Sequence, residues 1–392
     1  MSKHSIFTRA VHGGEQSEGH HGALSFPVYN ASTFRFEDAD EAFLIHNHHK
    51  HGFYYSRLGN PTQEALERTV ADLENADDAL AFASGMAAIS AAVMTVAGAG
   101  DHVVALSSMY STTTSLLNHL TERFGLEVTY VDATDPENYR SAVRDNTKLF
   151  WIETPSNPVL NVTDIGAVVG IAREKGITTI ADNTFATPFN QNPLDFGVDA
   201  VIHSATKYLG GHSDLTAGLL AGRSDLVEEA RMKTSRYFGG NIAPQVAWLL
   251  MRGIKTLALR MRQHNSNAYA IANMLALHPK VASVHYPGLE EHPGHETAKQ
   301  QMRGFGGMVS FDVGSAETGK VFVNGLGLCA IATSLGGVET IVQHSASMTH
   351  ASLTEEERER AGIPDGLIRM SVGIEDPDDL IEDISNALEN CN

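Results

Sequence analysis

The sequence predicts an α/β protein: a mostly parallel, seven-stranded sheet covered by helices, followed by a smaller C-terminal α/β unit. Three observations carry this. Six apolar runs recur at 79–83, 102–106, 127–131, 148–152, 178–181 and 200–203, with helix-period stretches between most of them. A seventh run, 216–222, reads as one more strand. The chain has 392 residues, 42% of them hydrophobic, which is ample for a large core with a second unit attached.

Residues 1–61 lack regular periodicity and read as an arm rather than a folded unit. They carry His20 and His21, then His46, His48, His49 and His51. With no cysteine or acidic partner set close by, these histidines read as a solvated face, and no metal is expected. The stretch YSRLGNPT (55–62) ends the arm. Asn60-Pro61 is a turn signal, with Pro61 placed to open a helix over 63–75 whose inner face is Leu66, Val70 and Leu73. Tyr55 and Arg57 alternate, so an extended segment would point them the same way. An arginine beside a phenol suits a phosphate; an ordinary surface arginine in a capping loop is the other reading.

The large unit is expected to span 62–256, and its interest lies at the carboxyl ends of its strands. Open α/β sheets place their ligands there. Ser84-Gly85-Met86-Ala87 lies between a strand and an Ala-rich helix, where free N–H groups and the helix dipole favour an anion. There is no GxGxxG and no GxxxxGK[ST] to explain it. Tyr110 follows another strand and can lie flat on a planar ligand or line a rim. The rigid loop ETPSNP (153–158) presents the amide of Asn157. Asp182, in ADNTF (181–185), ends a buried run and needs a cationic partner unless it caps a turn. Lys207 follows the run 199–204 within SATKYLGGHSD (204–214). An amine in a dry pocket shifts its pKa readily and can serve as a nucleophile. Ser204 and Thr206 flank it with two hydroxyls suited to an anion. A surface lysine beside a turn is the plain alternative.

The smaller unit is expected over 257–392. Residues 251–256 begin a long helix, 257–277, that links the two units. Strands are expected at 281–285, 308–312 and 330–334, with a closing helix at 378–389. Residues 366–375 alternate as a strand with Arg369 inside it. An arginine there is costly unless it meets an anion, and its fork suits a carboxylate. Cys329 sits in an apolar run and reads as a core residue; Cys391, next to last, reads as frayed.

The formal net charge is −19 and the sequence pI about 5.4. Nucleic acid and anionic membranes both need a basic face, so neither is expected as a partner. The amino terminus lacks the apolar region of a signal peptide, and the most apolar stretch, 87–100, is too short to cross a bilayer. The expected location is cytoplasmic.

An amine at one strand end, a carboxylate at the next, a phenol and a phosphate nest together fit pyridoxal 5'-phosphate. The same residues resemble the Cys/Met-metabolism pyridoxal-phosphate enzymes, which have the aspartate-aminotransferase-like fold type I. The resemblance runs from about Thr8 to Leu388, on YSRLGNPT (55–62), ASGMAAI (83–89), ETPSNP (153–158), ADNTF (181–185), SATKYLGGHSD (204–214), MRGIKTL (251–257) and TSLGGVETIVQHSASMTHASL (333–353). It implies that Lys207 bonds the cofactor aldehyde, Asp182 pairs the pyridinium and Tyr110 stacks on the ring. It gives the phosphate to Gly85, Met86, Ser204 and Thr206. It sends Tyr55 and Arg57 of the arm into a neighbouring subunit's site, in a catalytic dimer doubled to a homotetramer. Arg369, helped by Ser334 and Asn157, grips the substrate carboxylate.

The implied reaction is γ-elimination of L-methionine or a related sulfur amino acid to 2-oxobutanoate, ammonia and a thiol, a carbon–sulfur lyase activity. Lys207 would move the protons and Tyr110 protonate the leaving group. Family members taking cystathionine or a succinyl ester usually carry an arginine five residues after the stacking tyrosine and a glutamate just before Ser-Leu-Gly. Ser115 and Thr333 stand there, both neutral, which favours small neutral γ-substituents. The C-terminal block looks closest to the methionine γ-lyase branch. Thr112 stands where that branch has cysteine, and Ser235-Arg236 where it has Lys-Asp. The alternatives are γ-replacement on an acylated homoserine with a thiol, or elimination from cystathionine.

Overall fold

The computed structural model describes residues 4–14, 20–348 and 362–391. The last part of the longest motif, 349–353, therefore lies outside the described residues, as do 1–3 and 15–19 of the arm. Seven strands form the larger sheet: β1 (Asp78–Phe82), β2 (His102–Leu106), β3 (Glu127–Val131), β4 (Thr147–Glu153), β5 (Thr178–Asp182), β6 (Ala200–His203) and β7 (Gly218–Gly222). Their order is β1-β7-β6-β5-β4-β2-β3. β2 to β6 pair in parallel, and β7 runs antiparallel to both its neighbours. The expected mostly parallel sheet is present.

The sheet explains where a ligand can go. From β2 the chain crosses to β3 on one side, then to β4, β5 and β6 on the other. The turns after β2 and β4 therefore part from one another and leave a crevice at their carboxyl ends. Strand interiors here are apolar because both faces are covered; β2 and β6 are buried at every position. The polar residues that line the crevice come at the last position or just beyond, as Glu153 and Asp182 do.

Five strands form the second sheet: β8 (Ser283–His285), β9 (Met308–Asp312), β10 (Ala330–Ile331), β11 (Ile341–His344) and β12 (Leu367–Ser371), in the order β10-β11-β12-β9-β8. One core cluster unites Phe311 of β9 and Ile368 of β12 with Ile271, Phe322 and Leu380 from three helices. The helix Leu257–Leu277 runs at the expected bounds.

The structure corrects three expectations and adds one strand. Residues 251–256 do not begin the long helix: 251–254 end a separate one, Pro244–Ile254, and 255–256 form a turn. Buried Arg260 fixes the break, donating to the carbonyls of Gly253 at 2.8 Å and Tyr208 at 2.6 Å. The expected strand 330–334 is two residues long, because Ser334 turns out of it at φ 81°. Its place beside β12 is taken by β11, four residues long and too short for its alternation to stand out. Cys391 is not frayed; it is 1% exposed in the smaller core, its N–H bonded to the Leu388 carbonyl at 3.1 Å.

The arm carries two helices, Ile6–His12 and Ala39–His46. Among the described residues, no helix is long and apolar enough to cross a membrane, and no group of three or more His, Cys, Asp or Glu side chains is placed to hold a metal.

Candidate active site

A cavity of about 470 Å³ lies at the carboxyl ends of the large sheet, closed on one side by Thr333, Ser334 and Leu335 and by Arg369 of β12. It gathers Gly85, Met86, Tyr110, Asn157, Asp182, Ser204, Thr206, Lys207, Ser334 and Arg369. Ten of the twelve candidate residues therefore share one wall-to-wall space. Tyr55 and Arg57 do not line it.

Lys207 is held by its backbone first. The turn after β6 closes with Lys207 N–H on the Ser204 carbonyl at 3.1 Å and Gly211 N–H on the Lys207 carbonyl at 2.8 Å. The Thr206 hydroxyl is pinned to residue 217, accepting from its N–H at 3.0 Å. The amine then reaches across to the smaller unit, where Nζ donates to Ser334 Oγ at 2.6 Å. Gly336, at φ 78°, lets that segment lie on the lysine turn; a Cβ there would sit 2.6 Å from the Tyr208 nitrogen.

Burial, and then the nearby Arg369 cation, pull the Lys207 ammonium down to about 8. The neutral amine is the reactive form, so amine-selective labelling of cofactor-free protein should reach half its maximal rate at Lys207 near pH 8. Surface lysines should do so near ~10.4. Peptide mass spectrometry across a pH series measures both, and a common midpoint for all lysines would contradict the buried placement. The linked stability follows in sign. Between these two values the unfolded chain binds the proton and the folded chain does not, so stability contributed here rises with pH.

The acid lies one strand over. Asp182 ends β5, is 8% exposed, and accepts the Thr184 N–H at 2.9 Å. Burial raises its pKa, and the hydrogen bonds from Thr184 oppose that. Among the described residues it makes no ion pair, although it is buried where it lines the cavity. A buried acid without a cation is costly, so the site calls for a cationic ligand group at that point.

At the other end, the helix Gly85–Val96 aims its amino terminus into the cavity, with Ser84 Oγ accepting the Ala87 N–H at 3.1 Å. That cap leaves the first-turn N–H groups of Gly85 and Met86 for a ligand. Gly85 is required: a Cβ there would lie 2.8 Å from the Ser204 Cβ, so the helix could not approach the hydroxyls of Ser204 and Thr206.

Arg369 crosses β12 and is 5% exposed. Its Nη1 donates to Asn157 Oδ1 at 2.8 Å and its Nη2 to the Ser334 carbonyl at 2.9 Å. Burial pulls its pKa down to about 10, which leaves it fully charged at neutral pH. Tyr110 stands at the mouth, 41% exposed, at the start of the helix Ser111–Phe124.

An amine brought down to about 8, a buried acid short of a cation, an aromatic wall and an anion nest fit an aldehyde-bearing, phosphorylated pyridine ring. The sequence pattern of the family described as Cys/Met metabolism PLP-dependent enzyme matches residues 7–389. The chain belongs to this family. Its cofactor is accordingly pyridoxal 5'-phosphate, and the fold is the family's type I fold.

Among curated relatives, the Cys/Met family member named L-methionine gamma-lyase of Fusobacterium nucleatum is 46% identical over 392 residues, covering 99% of both chains. The cystathionine gamma-lyase of Bacillus subtilis is 48% identical over 383 residues, covering 98% of this chain and 99% of its own. The solved structure of cystathionine gamma-lyase from Lactobacillus plantarum complexed with L-serine superposes with a TM-score of 0.93 at 40% identity, covering 99% of each chain.

Two findings on the site were not foreseen. The segment of Tyr55 and Arg57 is a turn rather than extended, closed by the Leu58 N–H on the Tyr55 carbonyl at 2.8 Å. Arg57 lies 5.8 Å over the Tyr55 ring and donates to the Arg236 carbonyl at 2.7 Å. Glu153 lines the cavity, yet sequence reasoning passed over it for the amide of Asn157. Its signal was the one that singled out Asp182: a carboxylate closing an apolar strand.

Proposed function

We propose that the chain catalyses γ-elimination from L-methionine or a related sulfur amino acid, taking up one water and releasing 2-oxobutanoate, ammonia and a thiol. The observation that carries this reading is the reach of the Lys207 amine, 2.6 Å from Ser334 Oγ, beside the Arg369 fork. A base and a carboxylate grip are fixed against each other in one cavity. Bound there, pyridoxal 5'-phosphate supplies the electron sink that lets a proton leave the substrate's α-carbon.

The chain's own residues do the rest. Arg369 receives the substrate carboxylate, with Asn157 and Ser334 holding the fork in plane. Lys207, poised near 8, takes protons from the α- and β-carbons and returns them, as general base and acid. Tyr110, at the mouth, donates to the departing sulfur. Asp182 keeps the ring nitrogen protonated. Gly85, Met86, Ser204 and Thr206 anchor the phosphate.

The distal wall explains the choice of substrate. Thr112 and Thr333 line it, both uncharged; Ser115, three residues after Thr112, does not line the cavity. A charged γ-substituent finds no partner there, whereas a methyl thioether needs none. Purified protein given L-methionine alone should release 2-oxobutanoate. No 2-oxobutanoate from methionine, together with a thioether and free acid formed when an acylated homoserine and a thiol are both supplied, would replace this reading with γ-replacement.

The arm, 1–61, is assigned to a neighbouring subunit, with 62–256 as the cofactor domain and 257–392 as the smaller one. Tyr55 is 42% exposed, and Tyr237 and Phe238, which follow the Arg236 that Arg57 bonds, are 72% and 70% exposed. Such aromatics favour a covered face. The assembly is a homotetramer of two catalytic dimers in the cytoplasm, and sedimentation equilibrium checks its fourfold mass.

A further inference from the structure

Glu153 has no part in the roles above, yet it lines the cavity at the end of β4, 5% exposed. Both of its oxygens are committed. Oε2 accepts the Tyr110 N–H at 3.0 Å, and Oε1 accepts the Asn157 N–H at 3.0 Å. The two donors lie on different loops, one after β2 and one after β4, on either side of the crevice. Tyr110 would stack on the cofactor ring, and Asn157 holds Arg369.

The position is an expensive one for an acid. Glu153 is in register with Asp182 on the neighbouring strand. Burial and that second carboxylate push it up to about 8, against the pull of its two N–H bonds. An apolar side chain would fill the space at lower cost. What it could not do is fasten two loops at one point.

We propose that Glu153 is a positioning residue that ties the ring-stacking wall to the carboxylate grip, so that Tyr110 and the Asn157–Arg369 pair keep one spacing. This rests on the cofactor and substrate roles given above. The consequence is specific: disturbing Glu153 should weaken ligands through their carboxylate and leave ligands without one largely unaffected.

The test uses holoenzyme and the variant Glu153→Gln. Glutamine keeps the size, but its single carbonyl oxygen accepts from one loop while its NH₂ confronts the donor on the other. Each protein is titrated with L-norleucine and with n-pentylamine, the same chain without the carboxylate, and the visible spectrum of the bound cofactor is followed. The expected loss is about tenfold for norleucine, the scale of one misaligned charge-assisted hydrogen bond. For pentylamine it is less than about twofold, because that ligand has no carboxylate for a displaced grip to lose.

A merely structural role would weaken both ligands alike. Equal losses, or no loss for norleucine, would overturn the proposal. If Glu153→Gln does not retain cofactor, the same pair is compared in Glu153→Asp, which is one methylene short of spanning both loops; the same two outcomes decide it. A wild-type spectrum that answers neither ligand would overturn the cofactor reading itself, before any variant is compared.

Discussion

Replacing Lys207 by alanine should lower kcat with L-methionine by at least about a thousandfold, the upper part of the range for losing a positioned general acid–base group. The fold should survive. Among the described residues the amine makes one side-chain bond, to Ser334 Oγ, and the turn that carries it is closed by backbone bonds that alanine retains. The neutralised site even loses a cation that burial and Arg369 disfavour. The melting temperature should therefore move by no more than the equivalent of about 1 kcal/mol, the scale of one hydrogen bond. The pairing of those two results is what matters. A collapse of activity together with a collapse of stability would place Lys207 in the scaffold rather than in the chemistry. Steady-state kinetics and a thermal melt on the same preparation distinguish them.

Arg369→Met should act on binding. The guanidinium is buried and charged, and its fork is already levelled by Asn157 and the Ser334 carbonyl. Removing one partner of a buried, hydrogen-bonded charge pair costs ~2–5 kcal/mol of affinity. At that scale KM for methionine rises from about thirtyfold to more than a thousandfold. The stability balance runs the other way. β12 lies between β11 and β9, and methionine fills the strand position without a buried charge. The carbonyls left without their donor cost about 1–3 kcal/mol each, which offsets that gain. A large rise in KM with little change in the melt is expected. A fall in kcat with KM unchanged would mean that Arg369 acts on the transition state alone and does not hold the carboxylate.

Much of this site was legible because one physical rule repeats. Strand interiors here are apolar, so a lysine, an aspartate or a glycine-led helix start at a strand's carboxyl end stands out against its run. Lys207, Asp182 and Gly85 were found that way. Arg369 was found by the same contrast, as a cation inside an alternating strand. The pairing of Arg369 with Asn157 is another matter, because 212 positions separate them. No local pattern reports a contact of that span; the family resemblance brought those residues together.

Glu153 shows the limit from the other side. It closes its apolar run as visibly as Asp182 does. Its partners are backbone N–H groups, one of them 43 positions away, and backbone donors leave no trace in the sequence. The short strand β11 escaped because four residues give too few alternations to read. The break before Leu257 escaped because Arg260, which makes it, bonds to carbonyls rather than to a charged partner. Cys391 looked frayed by its place in the chain, whereas burial against the closing helix decided its environment.

The lysine at position 207 is the point on which the account turns, and reduction of the intact holoenzyme with borohydride tests it. The account predicts that the visible band disappears and that peptide mass spectrometry finds one reduced cofactor per chain, on the peptide bearing Lys207. A reduced cofactor on any other lysine, or none at all on a protein that had absorbed in the visible, would contradict it.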